Sequence, residues 1–121
     1  MKIIEILSEH IEEELEDAEE YIEMSLRYKD EFPMVAKTFY ELSLQEMNHM
    51  EMLHNDVKDL IEKHRREHGE PPVAMMAVYE YLHKKYIDKA AKIKILQKQI
   101  EILSQARDRL LPKLMNGEIE V

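Results

Sequence analysis

The chain has 121 residues, of which 26 are acidic and 17 basic, giving a net charge of −9, with six His and no Cys. That length accommodates one domain, and the lack of thiols excludes a disulfide framework, a thiolate zinc site and an iron–sulfur cluster. The acidic balance argues against a nucleic-acid partner, and no apolar run approaches the roughly 20 residues that span a bilayer.

The N-terminus, Met1-Lys2-Ile3-Ile4-Glu5, has no long uncharged stretch of the kind a signal peptide needs, so a cytoplasmic location is expected. From there to the first turn at Asp30-Glu31-Phe32-Pro33, the residues Leu7, Ile11, Glu14, Ala18, Tyr21, Ser25 and Tyr28 recur at alternating steps of four and three. This spacing predicts an amphipathic helix with one inward stripe. A second segment runs to Gly69-Glu70-Pro71-Pro72. Its stripe is Phe39, Leu42, Glu46, His49, Leu53, Val57 (one position late), Leu60 and His64. The third segment, roughly Val73 to Leu111 before Pro112 and Gly117, carries one stripe from Leu82 to Leu110, widened by Ile87, Ala91, Ile95 and Ile102. As one helix it would reach roughly 60 Å, so a break near Asp88 is the alternative. Rich in helix formers and poor in Gly and Pro, the chain is expected to be all-α: one antiparallel helical bundle over residues 1–121, with three long helices.

Three polar residues occupy positions that should be apolar. Glu14 lies in the first stripe, and Glu46 and His49 lie in the second at an E-x-x-H spacing, which puts a carboxylate and an imidazole on adjacent turns of one face. Burying a carboxylate without a partner costs several kcal/mol, so their presence asks for a reason. Their heights also agree: Glu14 lies 18 residues before Phe32, and Glu46 and His49 lie 14 and 17 after it. An antiparallel hairpin therefore brings all three within about one helical turn. Two carboxylates and an imidazole at one level form a metal-ligand set suited to iron or manganese, with zinc able to compete. The plainer explanation is a buried, hydrogen-bonded polar cluster that fixes helix register.

Two further E-x-x-H spacings occur. Glu51 and His54 are rotated by five residues from the second stripe and read as surface, and Glu80 and His83 lie too far along the axis to join Glu14 in an unbroken hairpin. Glu13, Glu16, Asp17, Glu19, Glu20 and Glu23 read as a solvated helix face, and His10 as an exposed residue. The nine Met read as core filler and interface plasticity.

The segment Glu13-Glu14-Leu15-Glu16-Asp17-Ala18-Glu19-Glu20-Tyr21 resembles the first helix of bacterioferritins and encapsulated ferritins, and Glu46-Met47-Asn48-His49 is similar to the second-helix motif of the wider ferritin and rubrerythrin superfamily. The resemblance covers about residues 3–66. It implies a ferritin-like fold, with Glu14 a terminal metal ligand, Glu46 a bridging one and His49 the nitrogen ligand. Met47 stands where bacterioferritins bring a methionine to haem, but the rest of that interface is unmatched here. The second E-x-x-H helix of rubrerythrins and bacterioferritins has no counterpart at the right height. One chain thus brings half of a four-carboxylate, two-histidine site, and a homodimer would complete it around two iron ions. The implied function is iron oxidation or storage, or removal of oxygen species, with ferroxidase-like or peroxidase-like chemistry if the protein is an enzyme. The rival expectation is a metal-free helical scaffold that binds a partner through the third segment.

Overall fold

The computed structural model describes residues 2–115, with side chains for residues 2–110. Gly117, the last of the sequence's punctuation marks, lies outside the described residues. The chain folds as three α-helices, α1 (Lys2–Tyr28), α2 (Pro33–His68) and α3 (Val73–Met115), with no strand among the described residues. None of the three is apolar enough over a sufficient length to cross a membrane.

The helix ends follow from local chemistry. Pro33 opens α2, a position where the missing N–H would have no intrahelical partner. Before it, the Phe32 N–H closes the turn by donating to the Tyr28 carbonyl at 2.8 Å. α2 stops at Gly69, whose φ of 80° favours a residue without a side chain. Gly69 also donates to the Arg65 carbonyl at 3.1 Å. α3 runs unbroken through Asp88 and ends at Met115, so the alternative break does not occur and Pro112 falls within the final turns.

α1 and α2 form a close antiparallel pair, while α3 lies chiefly on α1 and touches α2 at fewer points. Ser25 and Ser43 make the approach near the first turn close and polar-satisfied: Ser25 Oγ donates to the Ala36 carbonyl at 2.7 Å and Ser43 Oγ to that of Tyr40 at 2.6 Å. The buried core draws on all three helices, with Ile22, Met50 and Ile93 fully enclosed. Gln97 is also buried and donates to Ser43 Oγ at 3.1 Å, tying α3 to α2. Lys85 and Lys92 of α3 reach Glu12 and Glu19 of α1 at 2.7 and 3.7 Å.

The core is shifted in phase from the expected stripes. On α1 the deepest positions are Ile4, Ser8, Ile11, Leu15, Ala18, Ile22 and Ser25, so Leu7, Glu14, Tyr21 and Tyr28 form one flank of the buried face. On α2 they are Ala36, Ser43, Met50, Val57 and Ile61, again leaving Leu42, Glu46 and Leu53 on a flank. The cause is the third helix. Each helix of the hairpin meets two neighbours, so its buried sector widens toward α3. Because Ile93 is the fully buried anchor of α3, Ile93→Ala should lower unfolding free energy by about 2–5 kcal/mol. Urea denaturation would measure this, and a loss well under 1 kcal/mol would mean that α3 is not docked as described.

Candidate metal centre

Glu14, Glu46 and His49 converge. One donor atom from each lies within 4.8 Å of the other two. His49 Nδ1 is 3.7 Å from Glu14 Oε2 and 3.8 Å from Glu46 Oε2. These separations are longer than hydrogen bonds. At metal–ligand bonds of about 2.1 Å, donors this far apart subtend about 120° at a shared ion.

The carboxylate oxygens carry the chemical argument. Glu14 Oε2 and Glu46 Oε2 are both buried and accept no hydrogen bond. Glu19 Oε2 shares that condition, but Lys92 stands 3.7 Å from the other oxygen of the same carboxylate. For Glu14 and Glu46 the only cation-forming neighbour in ion-pair range among the described residues is His49. Two buried carboxylate oxygens with unused lone pairs are ready acceptors for a cation.

The site opens outward. Side-chain exposure rises from 17% at Glu46 through 28% at Glu14 to 53% at His49. Two of its residues also face away from α3. At about 100° per residue, Glu12 and Glu19, which meet α3, project some 140–160° from Glu14 around α1. On α2, His54 and Ser43, which meet α3, project about 120–140° from His49. Glu14 and His49 thus point away from α3, while Glu46, about 60–80° from Ser43 and His54, sits between the two sides; half-buried Leu7, Leu42 and Leu53 flank the group. Tyr21 is on the same flank and stacks on Phe39 with ring centroids 6.1 Å apart, so its ring packs rather than reaching the site. His10 is exposed and pairs with Glu13 at 3.5 Å, away from the three ligands. Met47, by contrast, packs against the core.

One expectation needs correction. His54, read as surface, is half-buried against α3, where its Nε2 lies 2.9 Å from His83 Nδ1. His54, His83, Tyr79 and Tyr86 form a stacked aromatic group, with His54 4.9 Å from His83 and 4.7 Å from Tyr86 between centroids. The rotation of five residues does take His54 off the α1 seam, but it carries it onto the α3 seam. Glu80 is exposed, and His83 lies at the level of His54, closer along the axis to His49 than the height argument expected but on the α3 seam rather than among Glu14, Glu46 and His49.

The chain matches no protein-family model, no curated protein and no solved structure.

Burial, and then the neighbouring His83 and Lys58, push the His54 pKa down, against a weaker opposing pull from Glu51. Tyr79, Tyr86 and, at the cavity wall, Glu12, Lys85 and Lys89 complete its charged and titratable surroundings. A folded-state pKa below the unfolded value means the unfolded chain takes up the proton first, so His54 contributes stability above its unfolded pKa and loses it as pH falls through the folded one. Between about pH 7 and 5, His54→Gln should therefore show a shallower decline in unfolding free energy than the parent chain. Parallel pH-dependent melts would check this, and identical slopes would contradict it.

Proposed function

We propose that the protein is a ferritin-like metal-binding subunit in which Glu14, Glu46 and His49 hold iron and a second copy of the chain supplies the other half of the site. The observation that carries this reading is the pair of buried, unpartnered oxygens on Glu14 and Glu46 beside the His49 imidazole. Two carboxylates and one imidazole per ion are hard and borderline donors that suit ferrous and ferric iron, and manganese or zinc can compete for them. Four carboxylates from two chains would offset the charge of two ferrous ions, which makes enclosure of the doubled site electrostatically affordable. Once bound, the two ions would supply electrons to dioxygen or peroxide.

This chain's own residues would do the rest. By the resemblance, Glu46, the most enclosed of the three, would bridge, Glu14 would be a terminal ligand, and the outward-facing His49 would supply the nitrogen. The uncovered hairpin face suits an isologous partner, because a two-fold axis through it would bring like residues together. Its half-buried apolar flanks, including Leu7, Leu42, Leu53 and Leu60, would then lose their remaining contact with water. Iron oxidation, iron storage and removal of oxygen species are the functions such a site would serve.

A second reading rests on a different surface. α3 carries exposed Ile87, Ile95 and Ile102 along its outward side, a stripe that a metal-free scaffold would use to bind another helix. Iron analysis separates the two. Protein loaded anaerobically with Fe(II) and desalted should retain about one iron per chain and sediment as a dimer or larger assembly. His49→Ala should lose that iron while keeping its helical circular dichroism. A parent chain that is monomeric and retains no iron would leave only the scaffold.

A further inference from the structure

The seam between α2 and α3 contains a feature that the iron site does not use. His54 and His83, each the last residue of an E-x-x-H spacing, meet from different helices with Nε2 and Nδ1 2.9 Å apart. They border a cavity of about 30 Å³, together with Tyr79 and Tyr86. We infer that His54 and His83 form a second metal site, separate from Glu14, Glu46 and His49, which takes one borderline divalent ion of the zinc class.

The geometry fits two ligands in adjacent positions on one ion. At metal–nitrogen bonds of about 2.0–2.1 Å, donors 2.9 Å apart subtend about 90°. The two ring nitrogens are already within bonding reach of a common point, and in the metal-free chain they share a proton across that gap. Replacing the proton by a cation requires the nitrogens to open to about 3.3 Å, the separation of imidazoles at a tetrahedral angle, and both rings to turn so that their lone pairs aim at the ion.

The surroundings favour the neutral, metal-binding form of imidazole. Both rings are half-buried and stacked between Tyr79 and Tyr86, which fixes their planes. The depressed pKa of His54 acts in the same direction. The charge around the pair is mixed: Lys58 acts on His54 more strongly than Glu51 does, and Lys85 and Lys89 stand at the cavity wall. Glu51 lies one turn before His54 and is near enough for its charge to act on both His54 and Tyr86, and Glu80 lies one turn before His83. Two imidazoles, with no carboxylate in ligand range among the described residues, form a more nitrogen-rich set than Glu14, Glu46 and His49, which shifts the preference from iron toward zinc, and water would fill the remaining positions.

The test is a Zn²⁺ titration of the full chain labelled with ¹⁵N-histidine at neutral pH, following each imidazole nitrogen by NMR. The inference predicts that His54 Nε2 and His83 Nδ1 shift together and saturate at one ion. His54→Gln and His83→Gln, which keep a polar side chain in the seam, should each weaken that binding by at least on the order of tenfold, the loss typical of removing even an outer-shell partner. Zinc that leaves both resonances unmoved in the parent chain, or moves only one of them, overturns the inference without recourse to any variant. The His49 resonance reports independently on the Glu14–Glu46 site, so the two readings fail separately.

Discussion

The arrangement depends on one electrostatic constraint: two carboxylate oxygens, from Glu14 and Glu46, are held out of water in the α1–α2 seam with no hydrogen bond to either. Burial of an unpaired carboxylate opposes folding by several kcal/mol. A cation held between them would offset that cost. The nearest such group, His49, stands too far away to hydrogen-bond and at a distance suited to sharing an ion. The proposed half-site would account for the placement of all three residues.

The position of α3 decides which face stays uncovered. Its lysines pair with Glu12 and Glu19, its Gln97 reaches Ser43 and its His83 reaches His54, so it seals one side of the hairpin and leaves the other free. A four-helix arrangement closed within one chain would hide the ligands. Here the hairpin carries Glu14 and His49 on the side away from α3, flanked by half-buried leucines, and the proposed two-fold partner would cover that side. The side facing α3 gathers a different chemistry, two imidazoles between two tyrosines, because it is the more enclosed and aromatic seam.

Much of this was legible in the sequence, for identifiable reasons. Pro33 and Gly69 mark the turns through backbone chemistry that does not depend on tertiary context. Residue counts from Phe32 set Glu14, Glu46 and His49 at one height, because helical rise is nearly invariant. Phase was harder to read. A single stripe per helix assumes one neighbour, whereas α1 and α2 each have two, so the buried sector widened to take in Leu15, Ile22, Met50 and Ile61 while Glu14 and Glu46 stand on a flank. The same assumption put His54 on the surface. The meeting of His54 with His83 depends on how α3 leans across the hairpin, and no local pattern in either segment encodes that angle. The repeated E-x-x-H spacing was the available signal.

The most direct test of the metal reading is anomalous X-ray diffraction at the iron edge on crystals of the iron-loaded protein. The account predicts iron peaks about 2.0–2.3 Å from carboxylate oxygens of Glu14 and Glu46 and from a nitrogen of His49, with a second copy of the chain lending the same three residues across a two-fold axis. Iron bound elsewhere, or Glu14 and Glu46 turned into solvent with no ion between them, would contradict it.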